Sequence, residues 1–140
     1  MLALMTIGET ARRAAVNPRT LRYYERIGVL APSTRSAAGY RLYHDGDLAR
    51  LIFIRRAQRL GLSLAAIGTI LAVRDAGNAP CMHVRGIAQA RVREIDEYLA
   101  VLQAMRQELV ELAERARTVE AACAAGHAIC LAFEEERVAP

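Results

Sequence analysis

From Val84 to Val119 the chain runs for 36 residues with no proline and a single glycine, Gly86. Within that stretch Val84, Ala88, Arg91, Ile95, Tyr98, Leu102, Met105, Leu109, Leu112, Ala116 and Val119 recur at alternating steps of four and three. The spacing predicts one continuous helix with a heptad stripe, interrupted only by Arg91. Such a helix reaches roughly 50 Å. It cannot bury its stripe inside a 140-residue monomer. The partner that fits is the same helix from a second copy, packed as a coiled coil. Cys81 lies just before this helix, and Cys123, His127 and Cys130 lie just after it. Soft-ligand candidates therefore flank both ends of the expected dimer axis.

Charge divides the chain at the same place. Residues 1–80 hold twelve arginines against five acids, a net +7, whereas residues 81–140 hold seven against ten, a net −3. A basic first half suits a polyanionic partner, and the acidic second half does not. There is no lysine, so every lysine-type or arginine-type contact falls to arginine. The apolar fraction of 54% excludes a disordered chain. No apolar run approaches membrane-spanning length, and MLALMTIG lacks the basic start of a signal peptide, so the expected location is the cytoplasm with no membrane partner. Three cysteines in that compartment argue against a disulfide framework and leave metal or redox chemistry. No nucleophile–base pair or phosphate-binding loop points to an enzyme.

The basic half reads as small helices. Thr6 and Glu9 form a T-x-x-E capping box for a helix from about Ile7 to Ala15. Asn17 caps a second, with Pro18 at its first position and Gly28 placed to end it. That second helix carries Arg19, Thr20, Arg22, Tyr23, Tyr24 and Arg26. Two short helices with a tight turn, the second dense in arginine, predict a helix-turn-helix whose second helix enters the major groove. Adjacent Tyr23 and Tyr24 face different ways, so one ring belongs to the core. Pro32, Gly39 and the alternation of Tyr40–Tyr43 predict a two-stranded wing, with Arg41 and Tyr43 on one face. Arg35, Arg41 and the tyrosines are its candidates for the sugar-phosphate backbone. A third helix runs from Asp45–Asp47 to Leu60, lined by Arg50, Arg55, Arg56 and Arg59, and Gly61 ends it. His44, ahead of it, reads as structural or solvated. Ser63 caps a fourth helix, in which Gly68 suggests close packing.

The stretch LRYYERIGVL, then RSAAGYRLY at 35–43, then FIRRAQRLGLSLAAIGTIL at 53–71, resembles the MerR family of transcription regulators. The long helix and cysteine-bearing tail resemble its metal-sensing branch. The resemblance implies a mainly α homodimer: a winged helix-turn-helix over residues 1–80, an antiparallel coiled-coil helix over 81–119, and a metal-binding loop with a short C-terminal helix over 120–140. It implies palindromic operator DNA and RNA polymerase as partners, with effector binding distorting the DNA. Arg19, Thr20, Arg22 and Tyr23 would contact DNA from the second helix, and Arg35, Tyr40, Arg41 and Tyr43 from the wing. Arg55, Arg56 and Arg59 would grip the backbone.

Relatives of the metal-sensing type place one cysteine at the start of the dimer helix and further ligands after its end. The matching residues are Cys81 and the stretch CAAGHAIC, which supplies Cys123, His127 and Cys130. His83 is a weaker candidate. An antiparallel pair would bring Cys81 of one chain to Cys123 and Cys130 of the other. Thiolates favour a soft d10 ion. A cysteine at position 81 resembles the divalent-ion sensors, for zinc, cadmium, mercury or lead, with zinc the most general choice. A Cu(I) sensor or a thiol redox sensor is the alternative on the same scaffold. The family's first loop cysteine aligns with Ala116, and Cys123 comes seven residues later, two helical turns. Either the helix is longer here or the loop folds back.

Overall fold

The computed structural model describes residues 4–126 and 129–134, with residues 121, 123 and 125 as backbone only. It forms two units, one ending at Arg91 and one beginning at Val92. In the first, β1 (Met5–Thr6), α1 (Ile7–Ala14), α2 (Pro18–Arg26), β2 (Thr34–Arg35), β3 (Arg41–Tyr43), α3 (Asp45–Arg59) and α4 (Leu64–Asp75) precede the start of α5 (Cys81–Ala125). The second holds the rest of α5 and the short α6 (Leu131–Glu134). No helix among the described residues is long and apolar enough to cross a membrane.

The expected caps form. The Thr6 and Asn17 side chains accept hydrogen bonds from the N–H groups of Glu9 (3.3 Å) and Arg19 (2.9 Å), and that of Ser63 from Ala66 (3.2 Å). Between α1 and α2 the reversal is made by Ala15 at φ 52°, a left-handed conformation in a residue with a side chain. Its N–H and that of Val16 close the end of α1 on Arg12 O and Ala11 O. Gly28, at φ 77°, ends the turn after α2 and lets the Val29 and Leu30 N–H groups share the Tyr24 carbonyl.

The wing differs from the expected hairpin. Its sheet has three strands in the order β1-β3-β2, both pairs antiparallel, with Met5 opposite Tyr43 and Arg35 opposite Arg41. Two residues at the chain's start were too short a run to show strand alternation. They complete the sheet because β3 otherwise leaves an open edge. The core lies beneath it: Leu21 from α2, Leu30 from the connector, Leu51 and Ile54 from α3, Ile67 from α4 and Tyr43 from β3 are all fully buried. Leu48, Leu51, Ile54 and Ala57, each three residues after the last, supply the inner face of α3. Gly68 is a second correction: a Cβ there would meet nothing within 4 Å, so no close packing requires the glycine.

The long helix starts at Cys81, three residues ahead of the first stripe position Val84, and continues to Ala125, six beyond Val119. The extra turns take in position 123, so the expected loop begins later and the offset of Cys123 is absorbed by helix. The stripe is solvent-exposed in the single chain: Ile95, Tyr98, Leu102, Met105 and Leu109 are each between 41% and 64% accessible. Toward its end the helix is covered by α6. Ala132 is buried, and Arg115 Nε donates to its carbonyl at 3.1 Å. Phe133 stays exposed, lining a small cleft with Met105, Leu109 and Leu112.

Candidate nucleic-acid interface and thiol sites

Helix α2 offers a polar face and anchors its other side. Arg19 and Arg22 are exposed, and Tyr23 is 40% accessible with the Arg26 guanidinium 5.3 Å from its ring centroid. Tyr24 is the buried ring of the pair, and its hydroxyl donates to Gln58 Oε1 on α3 at 2.9 Å. Burial raises the Tyr24 phenol above its ordinary range despite that bond. Thr20 is half-buried at the mouth of an open cleft of about 470 Å³, lined also by Asn17, Tyr24, Arg55, Gln58 and Arg59. Arg13, Arg55, Arg56 and Arg59 border the groove beside it. The exposed face of α3 and the start of α2 thus form one arginine-rich surface.

The wing tip is held by its own backbone. Ser36 N donates to Tyr40 O at 2.9 Å, Gly39 N to Ser36 O at 2.9 Å, and Arg35 Nη1 to Gly39 O at 3.1 Å. Tyr40 projects at the tip, 71% exposed. Arg41 is one-third exposed and pairs through Nε with Glu25 Oε2 at 3.1 Å.

Tyr43 corrects the sequence expectation. It is fully buried, and its hydroxyl donates to Glu25 Oε1 at 2.8 Å, so its ring supports the wing instead of facing a ligand. Alternation placed it on the same face as Arg41, but β1 closes over the strand and a large ring fills the space beneath. Burial first, then the bond and charge of Glu25, push the phenol up to about 12.

Glu25 was not singled out by the sequence. Burial alone would raise its carboxyl. The bonds from Tyr43, Ser33 N and Arg41, with the charge of Arg41, carry it below the usual carboxylate range. A second tie missed by the sequence is Arg50, which donates through Nε to Val29 O (2.7 Å) and through both terminal nitrogens to Asp75 (2.7 and 2.9 Å). It fastens the end of α4 to α3 and to the connector ahead of the wing. Both ties join residues far apart in sequence, with no local pattern to announce them.

The thiols and histidines fall as follows. Cys81 is exposed at the first residue of α5, and Cys130 is half-buried just ahead of α6. Cys123 lies in the last turn of α5, with its side chain outside the description, and His127 lies outside the described residues. His83 is exposed in the first turn of α5. His44 is the N-cap residue of α3, and its backbone N–H donates to Asp47 Oδ2 at 2.8 Å. Among the described residues no three His, Cys, Asp or Glu side chains gather as a metal site within one chain.

Comparison with known proteins fits this layout. Residues 5–73 match the family described as "MerR HTH family regulatory protein", and residues 48–112 match "MerR, DNA binding". The chain is 42% identical over 107 residues to the HTH-type transcriptional regulator ZntR of Escherichia coli K12, covering 76% of each. It belongs to the MerR family. The mercuric resistance operon regulatory protein of Bacillus cereus is 36% identical, over 78% of this chain and 83% of that one. Among solved structures, the transcription regulator PbrR691 from Ralstonia metallidurans CH34 in complex with lead(II) superposes with a TM-score of 0.70. That match has 32% identity over 80% of this chain and 88% of the other. The resemblance to the metal-sensing branch of the MerR family therefore holds. MerR-family regulators bind DNA and are not enzymes.

Proposed function

We propose that this chain is a homodimeric, metal-responsive transcriptional regulator that senses a soft divalent ion, zinc, cadmium, mercury or lead, and controls metal-resistance or efflux genes by distorting operator DNA. The observation that carries the reading is α5: one helix with an exposed heptad stripe, opened by Cys81 and followed by Cys130. Antiparallel pairing along that stripe would set Cys81 of one chain beside Cys123 and Cys130 of the other, with His127 as a further ligand. The donor chemistry fits, since thiolate sulfur with an imidazole suits soft ions.

At the other end, Arg19, Thr20, Arg22 and Tyr23 would reach bases and phosphates of a palindromic operator. Arg35, Tyr40 and Arg41 would hold the backbone beside them. Arginine contacts to phosphate supply salt-dependent affinity, and altered spacer geometry between promoter elements would let RNA polymerase engage both.

The test is metal content per dimer together with transcription from the target promoter, with Cys81, Cys123 and Cys130 each replaced by serine. Cys130→Ser is expected to abolish the metal response while leaving metal-free DNA binding within about twofold. Loss of both together would sink the reading, because Cys130 would then be holding the fold.

A further inference from the structure

Glu25 is an unusual residue for its position. It lies in the last turn of α2, where the helix dipole disfavours negative charge, on a helix whose other ionised side chains are all arginine. A carboxylate facing DNA would repel it. This side chain is 11% exposed and is turned onto the wing. Oε1 accepts from Tyr43 Oη at 2.8 Å and from Ser33 N at 3.3 Å, while Oε2 accepts from Arg41 Nε at 3.1 Å. One carboxylate thus ties α2 to β3 twice and to the chain leading into β2.

Arg41 is engaged through Nε alone. Its two terminal nitrogens make no bond among the described residues, and the side chain is 32% exposed. A guanidinium fixed on its Nε edge keeps its outer fork in one orientation, which removes rotamer freedom before a phosphate arrives. Lysine, a point charge with one nitrogen, cannot occupy both partners in this way.

We propose that Glu25 is a positioning residue for DNA binding: it holds Arg41 and the wing so that the guanidinium fork meets the phosphate backbone in register with α2. The inference rests on the proposed DNA-binding role of the wing. It assigns to an acidic residue on the recognition helix a part in affinity that acts through Arg41 and needs no contact with DNA.

The experiment uses the intact dimer and a duplex that the wild-type protein selects from a random pool. Dissociation constants are measured across salt concentrations for Glu25→Gln, Arg41→Ala, Arg41→Lys and the double variant Glu25→Gln/Arg41→Ala. Glu25→Gln keeps an acceptor for Tyr43 and Ser33 and disturbs the side facing Arg41. It should weaken binding about tenfold when Arg41 is present and less than about twofold when Arg41 is alanine. Its salt slope should match wild type, whereas Arg41→Ala should lower the slope by about one phosphate contact. Arg41→Lys should fall most of the way to Arg41→Ala, a readout that does not depend on how well the Glu25 variant folds. Equal weakening by Glu25→Gln in both backgrounds, or wild-type binding by Arg41→Lys, overturns the positioning role. If Arg41→Ala binds as wild type, the wing reading itself fails and takes this inference with it.

Discussion

Tyr43 shows how one buried side chain couples stability to pH. Its phenol titrates at about 12 in the folded protein against an ordinary 10.0. The folded state therefore holds the proton more tightly than the unfolded chain. That contribution is fully present below pH 10 and is lost as pH rises toward 12. Glu25, its acceptor, is shifted the opposite way, so its contribution is present above the unfolded carboxylate range and is lost as pH falls through the depressed value. Tyr43→Phe removes the hydroxyl and leaves the ring. It should cost about 1.5–3 kcal/mol at neutral pH, as for a hydrogen bond to a charged acceptor. Urea unfolding at stepped pH should show the difference from wild type shrinking between pH 10 and 12. A constant difference across that window would mean the Tyr43 phenol is not what titrates. Sequence gave little access to this pair, since Glu25 and Tyr43 are eighteen positions apart and neither period nor capping links them. The Thr6, Asn17 and Ser63 caps were legible because a cap and its helix are adjacent in the chain. The left-handed Ala15 was not, because glycine or asparagine is the usual mark of that conformation.

At the scale of elements, the interruption of the heptad stripe by Arg91 has a physical reason. A Cβ built on Gly61, at the end of α3, would lie 2.5, 2.8 and 2.9 Å from atoms of the Arg91 guanidinium. The side chain lies over the backbone of the α3–α4 turn, so this stripe position packs on the head of its own chain. Gly61 is also at φ 79°, where any side chain is strained. Gly61→Ala thus carries two costs, about 1–2 kcal/mol from the backbone and a further amount from displacing Arg91. Only the second should vanish in an Arg91→Ala background. Chemical denaturation of the four proteins of that cycle measures it, and equal costs of Gly61→Ala in both backgrounds would refute the contact. The helices themselves were readable from periodicity and punctuation, with errors at the C-terminal end of α5 and at β1. Periodicity says where a face continues, while an end depends on what the neighbouring turns contact. The Gly61–Arg91 approach spans thirty residues and had no signature beyond a charged residue in an apolar stripe.

For the molecule as a whole, the exposed stripe on α5 is the surface that the proposed second copy would cover. Its exposed central positions, Ile95, Tyr98, Leu102, Met105 and Leu109, centre on Leu102. In an antiparallel pair Leu102 would therefore lie near the two-fold axis and face the partner's helix at the same level. It is 58% exposed in the single chain, and a second copy seated on the stripe would bury it. Burying a leucine contributes about 1.5–3 kcal/mol, and symmetry applies the gain twice. Leu102→Glu would replace both with carboxylates close together in an apolar seam, adding desolvation and like-charge repulsion. Gln103→Glu introduces the same charge one position off the stripe. Sedimentation equilibrium should show Leu102→Glu largely monomeric at micromolar concentration, with Gln103→Glu still dimeric. The basic head of net +7 is retained in that monomer, so weak, salt-sensitive DNA binding should survive while binding to a palindrome falls by the avidity of two linked heads, on the order of a hundredfold or more. A dimer unaffected by Leu102→Glu would place the pairing surface elsewhere. A monomer that still bound the palindrome at wild-type strength would separate DNA recognition from the paired helix.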